Sequence, residues 1–431
     1  MADWVALSEA PPEGCFVPRG ILTFLRSGYV HGYPTVLTRG QGARVFDSRG
    51  RSYLDWVQGK GAVTLGHAHP EVEARAAARG RDGVLFGACP EEYLELARRL
   101  AETLPGVGAA AFVKNGSDAI HVALRLCRTF TGRDLVLSAG YHGWDDRLLP
   151  GAAPSPVPGA VVDFGYDLGR LEQLLETHGP RVAAVLVTPE PLFFGGEYLR
   201  RVEALARAAS ALFVVDEVRA GMRVAPAGAH ALAGVSPDLF TLSKGLANGH
   251  PLAAVVGKRE VMEASSRTYV FGTYYAEACS LAAALATQEV YAKANVVAAI
   301  ESAGRALLDG MGALFAELGI SAYAVGPAPV LQFLFEDEAA EAAFYQGAVR
   351  RGLLFFQNDA QCPSLAHGTE EVAQTLALCR EVLLDVLREH PGDRSGTRSE
   401  PSQALLERAA KRRMIDSGAL DRAAVLSNLV R

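Results

Sequence analysis

None of the six cysteines, Cys15, Cys89, Cys127, Cys279, Cys362 and Cys379, stands in a C-x-x-C pair. The spacing of a zinc site or of a disulfide framework is therefore missing, and the thiols that lie among apolar residues read as buried and reduced. Positive charge is also in short supply. Lys and Arg number 42 against 48 Asp and Glu, a formal net charge of -6. That balance argues against nucleic-acid binding, which draws on a basic excess, and mainly supports solubility. No apolar run approaches the roughly 18 residues of a membrane span. Residues Met1–Gly14 carry acids and prolines without a basic stretch leading into an apolar one, so no signal peptide is expected. The expected compartment is the cytoplasm. There is no internal repeat and no constellation of metal ligands.

What is present is length and alternation. The chain has 431 residues, 49% of them hydrophobic, enough for two domains with separate cores. Short all-apolar runs, Ala111–Val113, Leu135–Leu137, Ala183–Val187 and Leu212–Val215, lack in/out alternation and suit a parallel sheet covered on both faces. Between them lie helical patterns. Ile120, Ala123, Leu124 and Cys127 fall at helical spacing, and Leu168–Leu175 and Tyr198–Ala209 read the same way. The expectation is an α/β fold, a large doubly wound and mainly parallel sheet domain over residues 61–290. The flanks differ. Ala43–Asp47 and Ser52–Asp55 surround Ser48-Arg49-Gly50 as a hairpin, Val330–Phe335 reads as a strand, and Val372–Leu387 as a helix. Residues 1–60 and 291–390 should form a smaller α+β domain. Residues 391–431 read as a linker, Pro391–Pro401, and a charged helical tail from Ser402.

Three local features carry chemistry. The run Leu212–Val215 ends in Asp216-Glu217-Val218, and carboxylates at the end of a central parallel strand face the ligand crevice. A lone Asp-Glu pair there could be a structural salt bridge. Thr241-Leu242-Ser243-Lys244-Gly245 places a lysine between an apolar run and a glycine-rich segment. A desolvated amine is partly neutral, as imine chemistry needs. Lys114-Asn115-Gly116-Ser117-Asp118 reads as a strand-to-helix turn whose backbone N–H groups suit a phosphate, although Ser117 or Asp118 could be a simple cap. An amine for an imine, an acid for a ring nitrogen and a phosphate anchor are together what pyridoxal 5′-phosphate (PLP) chemistry requires.

Here the sequence resembles the class III, fold-type I PLP-dependent aminotransferases, over about residues 40–390. Val214–Arg223 resembles their D-E-V-x-x-G-x-R motif, Pro237–Lys244 their lysine motif, and Lys114–Ala119 their phosphate turn. Leu65–Pro70, Tyr141-His142-Gly143-Trp144 and Phe271-Gly272-Thr273 match in the same order. Glutamate-1-semialdehyde aminomutases and their aminotransferase relatives are the nearest branch. The resemblance implies a homodimer with PLP as cofactor and two catalytic residues, Lys244 as the Schiff-base lysine and Asp216 on the pyridine nitrogen. It also implies Val218 on one ring face, Tyr141 on the other with His142 beside it, and Gly116 and Ser117 on the phosphate. Thr273 would reach the partner subunit's phosphate, and Glu190 the side of the phenolic oxygen.

The substrate side departs from the aminomutases. Trp144-Asp145-Asp146 follows Gly143, Tyr274–Leu281 follows Thr273, and Pro191–Gly196 follows Glu190. Substrate candidates are Trp56, either core or pocket wall, Asp145, and Glu277, either an ordinary helix carboxylate or a substrate contact. Acids with aromatic surface suit a cationic, hydroxyl-rich ligand. The pattern Thr273, Glu277, Ser280–Ala284 is similar to that of aminotransferases of gentamicin- and neomycin-type pathways. The expectation is transfer of an amino group from glutamate or glutamine to an amino-sugar carbonyl. Alternatives are PLP-dependent aminomutation or epimerisation, and a PLP-binding but inactive interaction protein. No metal, nucleic acid or membrane is expected to take part.

Overall fold

In the computed structural model, residues 32–34, 36–143, 161–357, 359–390, 400–413, 415 and 425 are described. Their strands run β1 Leu37–Gln41, β2 Arg44–Asp47, β3 Ser52–Asp55, β4 Ala109–Val113, β5 Leu135–Ala139, β6 Val161–Asp163, β7 Val182–Val187, β8 Leu212–Asp216, β9 Leu239–Leu242, β10 Ala253–Gly257, β11 Ala322–Val325, β12 Gln332–Phe335 and β13 Leu353–Leu354. The described residues group into two units, one holding those up to His69 together with those of 298–412, the other those of 70–297 together with Arg413, Ile415 and Val425.

The second unit is built on a seven-stranded sheet of order β4-β10-β9-β8-β7-β5-β6. The pairs β5–β6, β5–β7, β7–β8 and β8–β9 are parallel, while β10 runs antiparallel to both β9 and β4. Two reversals leave β4 pointing the same way as β8. Every residue of β5, β7, β8, β9 and β10 is buried. That is why these strands read as unbroken apolar runs.

The helix Gly116–Thr131 shows how the sequence fixes an element beside that sheet. Asn115 caps it, its side-chain oxygen accepting from Asp118 N at 2.9 Å. Ala119, Ile120, Ala123, Leu124 and Cys127 form its buried stripe and pack with Val136, Leu186, Val214 and Val255 of the sheet. Gly132, in the left-handed region at φ 69°, ends it.

In the first unit β2 and β3 form the expected hairpin, extended by β1 and by β13, which runs parallel to β3. Its core joins Tyr53, Leu54 and Trp56 to Phe315, Phe333, Phe344, Leu354 and Leu383. Of the tail, Gln403–Arg412 is a helix with Leu405, Leu406, Ala409 and Ala410 buried. Ser402 Oγ donates to Glu336 at 2.6 Å, and Arg412 makes a two-point contact with the buried Glu341 at 2.8 and 3.1 Å. This part of the tail is docked on the body of its unit. Among the described residues no helix is long and apolar enough to cross a membrane.

Candidate active site

The parallel strands of the large sheet deliver polar residues to one edge, at their C-terminal ends. Lys114 and Asn115 follow β4, Tyr141 and His142 follow β5, and Thr188 and Glu190 follow β7. Asp216 closes β8, and Lys244 comes two residues after β9. In an open α/β sheet this edge is where ligands bind.

Asp216 lies at the centre, almost fully buried. Its Oδ1 accepts from Val218 N at 3.1 Å and from Thr241 Oγ1 at 3.2 Å, and its Oδ2 lies 3.0 Å from His142 Nδ1. The same His142 nitrogen is 3.2 Å from Thr188 Oγ1, whose hydroxyl donates to Tyr141 O at 3.0 Å. Both groups facing Nδ1 are thus acceptors, so Nδ1 carries the proton. Nε2 of His142 is buried without a hydrogen-bond partner. Three donors fix the Asp216 carboxylate in one orientation.

Glu217, next in sequence, turns the other way. It is wholly buried and accepts from Ala229 N at 2.9 Å, His230 N at 2.7 Å and His230 Nδ1 at 3.0 Å. Its work is to hold residues 228–230 beneath the strand end. The Asp-Glu pair therefore divides into one residue facing the crevice and one that builds the fold. Glu190, also buried, pairs with Arg219 at 2.6 Å, and Arg219 donates to Pro189 O at 3.3 Å.

Lys244 opens a short 3-10 helix with φ +47°, the left-handed region. A non-glycine residue there costs about 1–2 kcal/mol, and such strain gathers at functional sites. Ser243 Oγ donates to Leu252 O at 3.0 Å and pins the turn.

The turn before the helix Gly116–Thr131 makes close approaches on two sides. A Cβ on Gly116 would stand 3.0 Å from both Cγ atoms of Val218, and one on Gly143 only 2.1 Å from Ser117 Oγ. Gly143 also has φ +104°. Val218, half-buried, thus lies against the phosphate turn, and Ser117 against the segment carrying Tyr141 and His142. Tyr141 is 54% exposed. Burial, then the Asp216 charge, pushes its phenol above the ordinary range.

Thr273 is exposed, in a stretch that also exposes Tyr269, Phe271 and Tyr274. The substrate candidates fare differently. Glu277 is the N-cap of the helix Ala278–Lys293 and pairs with Lys114 at 3.1 Å. Burial raises its carboxyl, but hydrogen bonds from the Ser280 hydroxyl, Lys114 and the backbone of Ser280 and Cys279 prevail and hold it at about 2. Of its two readings, the helix carboxylate is the one this geometry fits. Trp56 is wholly buried, with its indole N–H on Thr375 Oγ1 at 3.0 Å and its ring on His367 at 4.1 Å between centroids. It occupies a core position. Asp145, with Trp144 and Asp146, lies outside the described residues.

Sequence reasoning passed over Thr188, Thr241, Arg219 and Lys114 as site residues. For Thr188 a signal existed, a polar residue directly after the apolar run of β7. Arg219 occupies an unspecified position of the motif, so only its ion pair reveals it.

The arrangement fits PLP on the structure's own terms. A fixed carboxylate, a strained lysine and an N-capped strand-to-helix turn share one strand edge, and the packing is close enough that a Cβ on Gly116 would crowd Val218 and one on Gly143 would collide with Ser117. Comparisons with known proteins agree. The Aminotransferase class-III family matches residues 27–157 and 166–354. The 2'-deamino-2'-hydroxyneamine transaminase of Streptomyces kanamyceticus is 40% identical over 74% of this chain and 83% of its own length. The glutamate-1-semialdehyde 2,1-aminomutase of Desulforudis audaxviator (strain MP104C) is 33% identical over 85% of this chain and 94% of its own. The FumI protein of Sphingopyxis sp. MTA144, solved in its PLP internal aldimine form, superposes with a TM-score of 0.81 at 28% identity, covering 88% of this chain and 94% of that one. The chain belongs to the class III aminotransferases, as a PLP-dependent enzyme of fold-type I.

Proposed function

We propose that this aminotransferase moves an amino group from glutamate or glutamine to a carbonyl carbon of an amino-sugar or similar secondary-metabolite substrate. The observation that carries the reading is the 40% identity to a transaminase named for an aminoglycoside precursor, against 33% to the aminomutase. The support is narrower than the sequence had promised. Glu277 is engaged by four donors from Lys114, Cys279 and Ser280, so its carboxylate is not open to a cationic substrate.

PLP supplies an electron sink for the pair of electrons left when a proton departs from the donor's α-carbon. The protein's own residues do the rest. Lys244 Nζ would hold the cofactor and would serve as the base that moves the proton. Asp216, oriented by Val218 N, Thr241 and His142, would keep a proton on the ring nitrogen. Val218 and Tyr141 would cover the two ring faces, and Gly116 with Ser117 would receive the phosphate at the helix N-terminus. Glu190, its charge balanced by Arg219, would stand on the phenolic oxygen side. The functional unit is a cytoplasmic homodimer in which the exposed Thr273 reaches the partner's phosphate. Full activity in a monomer would contradict that last assignment.

The aminomutase relatives favour a second reading, isomerisation on the same machinery. One assay separates the two. A 6′-oxo aminoglycoside and glutamate-1-semialdehyde are offered at equal concentration, with glutamate or glutamine as donor. Aminated sugar together with keto acid supports the transaminase. Fast isomerisation of the semialdehyde without aminated sugar supports the aminomutase.

A further inference from the structure

The ion pair between Lys114 and Glu277 joins two segments that the functional reading uses separately. Lys114 directly precedes Asn115, the cap of the helix Gly116–Thr131, and so stands at the root of the phosphate turn. Glu277 follows Thr273 by four residues and caps a different helix, Ala278–Lys293. Its Oε1 accepts from Cys279 N at 2.7 Å. Its Oε2 accepts from Ser280 N at 3.1 Å, Ser280 Oγ at 2.6 Å and Lys114 Nζ at 3.1 Å. Both charged side chains are only about 15% exposed, at 16% and 15%. A pair so shielded is held by more than surface attraction, and breaking one partner leaves the other charge poorly solvated.

Lys114 stands just ahead of the helix that begins at Gly116, where a positive charge is unfavourable beside the helix dipole, and Glu277 balances it. With it, Lys114 becomes a strut that ties the phosphate turn to the segment carrying Thr273. Ala278 N donates to Val84 O at 2.9 Å, which anchors the far end of the strut in the body of the unit.

We propose that Lys114 and Glu277 are a positioning pair for the cofactor's phosphate, and that Glu277 serves the reaction through this pair and not through the substrate. The inference rests on Gly116 and Ser117 receiving the phosphate. It also gives the lysine at the head of the turn and the glutamate at the head of the second helix one shared task.

The test is a double-mutant cycle on the full-length protein, read as the PLP dissociation constant of the apoenzyme by absorbance titration. Lys114→Met and Glu277→Gln should each weaken PLP roughly tenfold, the scale of one lost charge-assisted contact. The double variant should be no weaker than either single one, and Lys114→Arg should bind close to wild type. Unfolding midpoints of the apoenzymes are measured alongside. A purely structural pair would lower those midpoints while PLP affinity stays constant, and that result overturns the proposal. So does additive weakening in the double variant. An unchanged PLP constant with a raised KM for a cationic amino sugar would make Glu277 a substrate contact and overturn it as well. Wild-type protein that failed to take up PLP would bring down the phosphate-turn reading itself, and the proposal with it.

Discussion

Gly116→Ala tests the local geometry of the site with a single added carbon. The new Cβ would lie 3.0 Å from both Cγ1 and Cγ2 of Val218. Comfortable carbon contacts are about 3.5–4.0 Å, so one side must give by a few tenths of an ångström. Val218 is β-branched and stiff at χ1, and its backbone N–H is bonded to Asp216 Oδ1 at 3.1 Å. Displacing it would shift the residue proposed to pack on the cofactor ring and disturb the acid that its N–H holds. Overpacking of this kind costs about 1–3 kcal/mol of stability; the apoenzyme relieves part of it by letting Val218 move, and where PLP binding reimposes about 1–2 kcal/mol of it the dissociation constant is roughly five- to thirtyfold weaker. The apoenzyme should suffer less, since alanine near the start of a helix reduces unfolded-state freedom by about 0.4–1 kcal/mol in its favour. The assay is PLP titration of wild type, Gly116→Ala, Val218→Ala and the double variant. Val218→Ala alone loses ring packing, but it makes room for the new methyl. The double variant should therefore bind several-fold better than the two single effects combined, a coupling of about 1 kcal/mol. Wild-type affinity in Gly116→Ala would refute the close approach. Strictly additive effects would refute its assignment to Val218.

Two further outcomes follow from the same site. Asp216→Asn removes the charge that keeps a proton on the ring nitrogen, so turnover should fall by several orders of magnitude while the fold persists; near-normal kcat would rule the role out. Glu277 has a folded pKa of about 2, below the ordinary 4.5, so its stabilising contribution is complete above the ordinary value and fades as pH drops toward about 2. The difference in unfolding midpoint between wild type and Glu277→Gln should accordingly shrink between pH 5 and pH 3, and a constant difference would contradict the hydrogen-bond account.

The parts of the fold most legible in the sequence were those where burial leaves a pattern. Strands β5, β7 and β8 are buried on both faces, and a run such as Leu212–Val215 has no polar residue to obscure it. The hairpin around Gly50 was legible because its turn has the right composition. Asp216, Lys244 and the turn at Gly116 could be ordered along the chain because each follows a strand, and strand ends in a parallel sheet share an edge. What a linear pattern cannot carry is which direction a side chain faces and whom it meets. Asp216 and Glu217 are neighbours, yet one closes the crevice side and the other ties down residues 228–230. Trp56 reads equally as core or as pocket wall, and only its contacts with Thr375 and His367 place it in the core. Glu277 reads as either a helix carboxylate or a substrate contact, and it is the proximity of Lys114, 163 residues away in sequence, that shows how it is engaged. The tail was equally opaque, because the partner of Arg412 is a buried glutamate 71 residues upstream.

Reductive trapping shows which residue holds the cofactor, for which Lys244 is the candidate. Holoenzyme is treated with borohydride, digested, and the pyridoxyl-bearing peptide is sequenced by mass spectrometry. The yellow colour should be lost and the whole adduct should sit on the peptide containing Ser243-Lys244-Gly245. In Lys244→Ala the fold should persist, catalysis should be lost and no peptide should be labelled. An adduct on Lys60, Lys114 or Lys258 in wild type, or undiminished turnover by Lys244→Ala, would contradict the account.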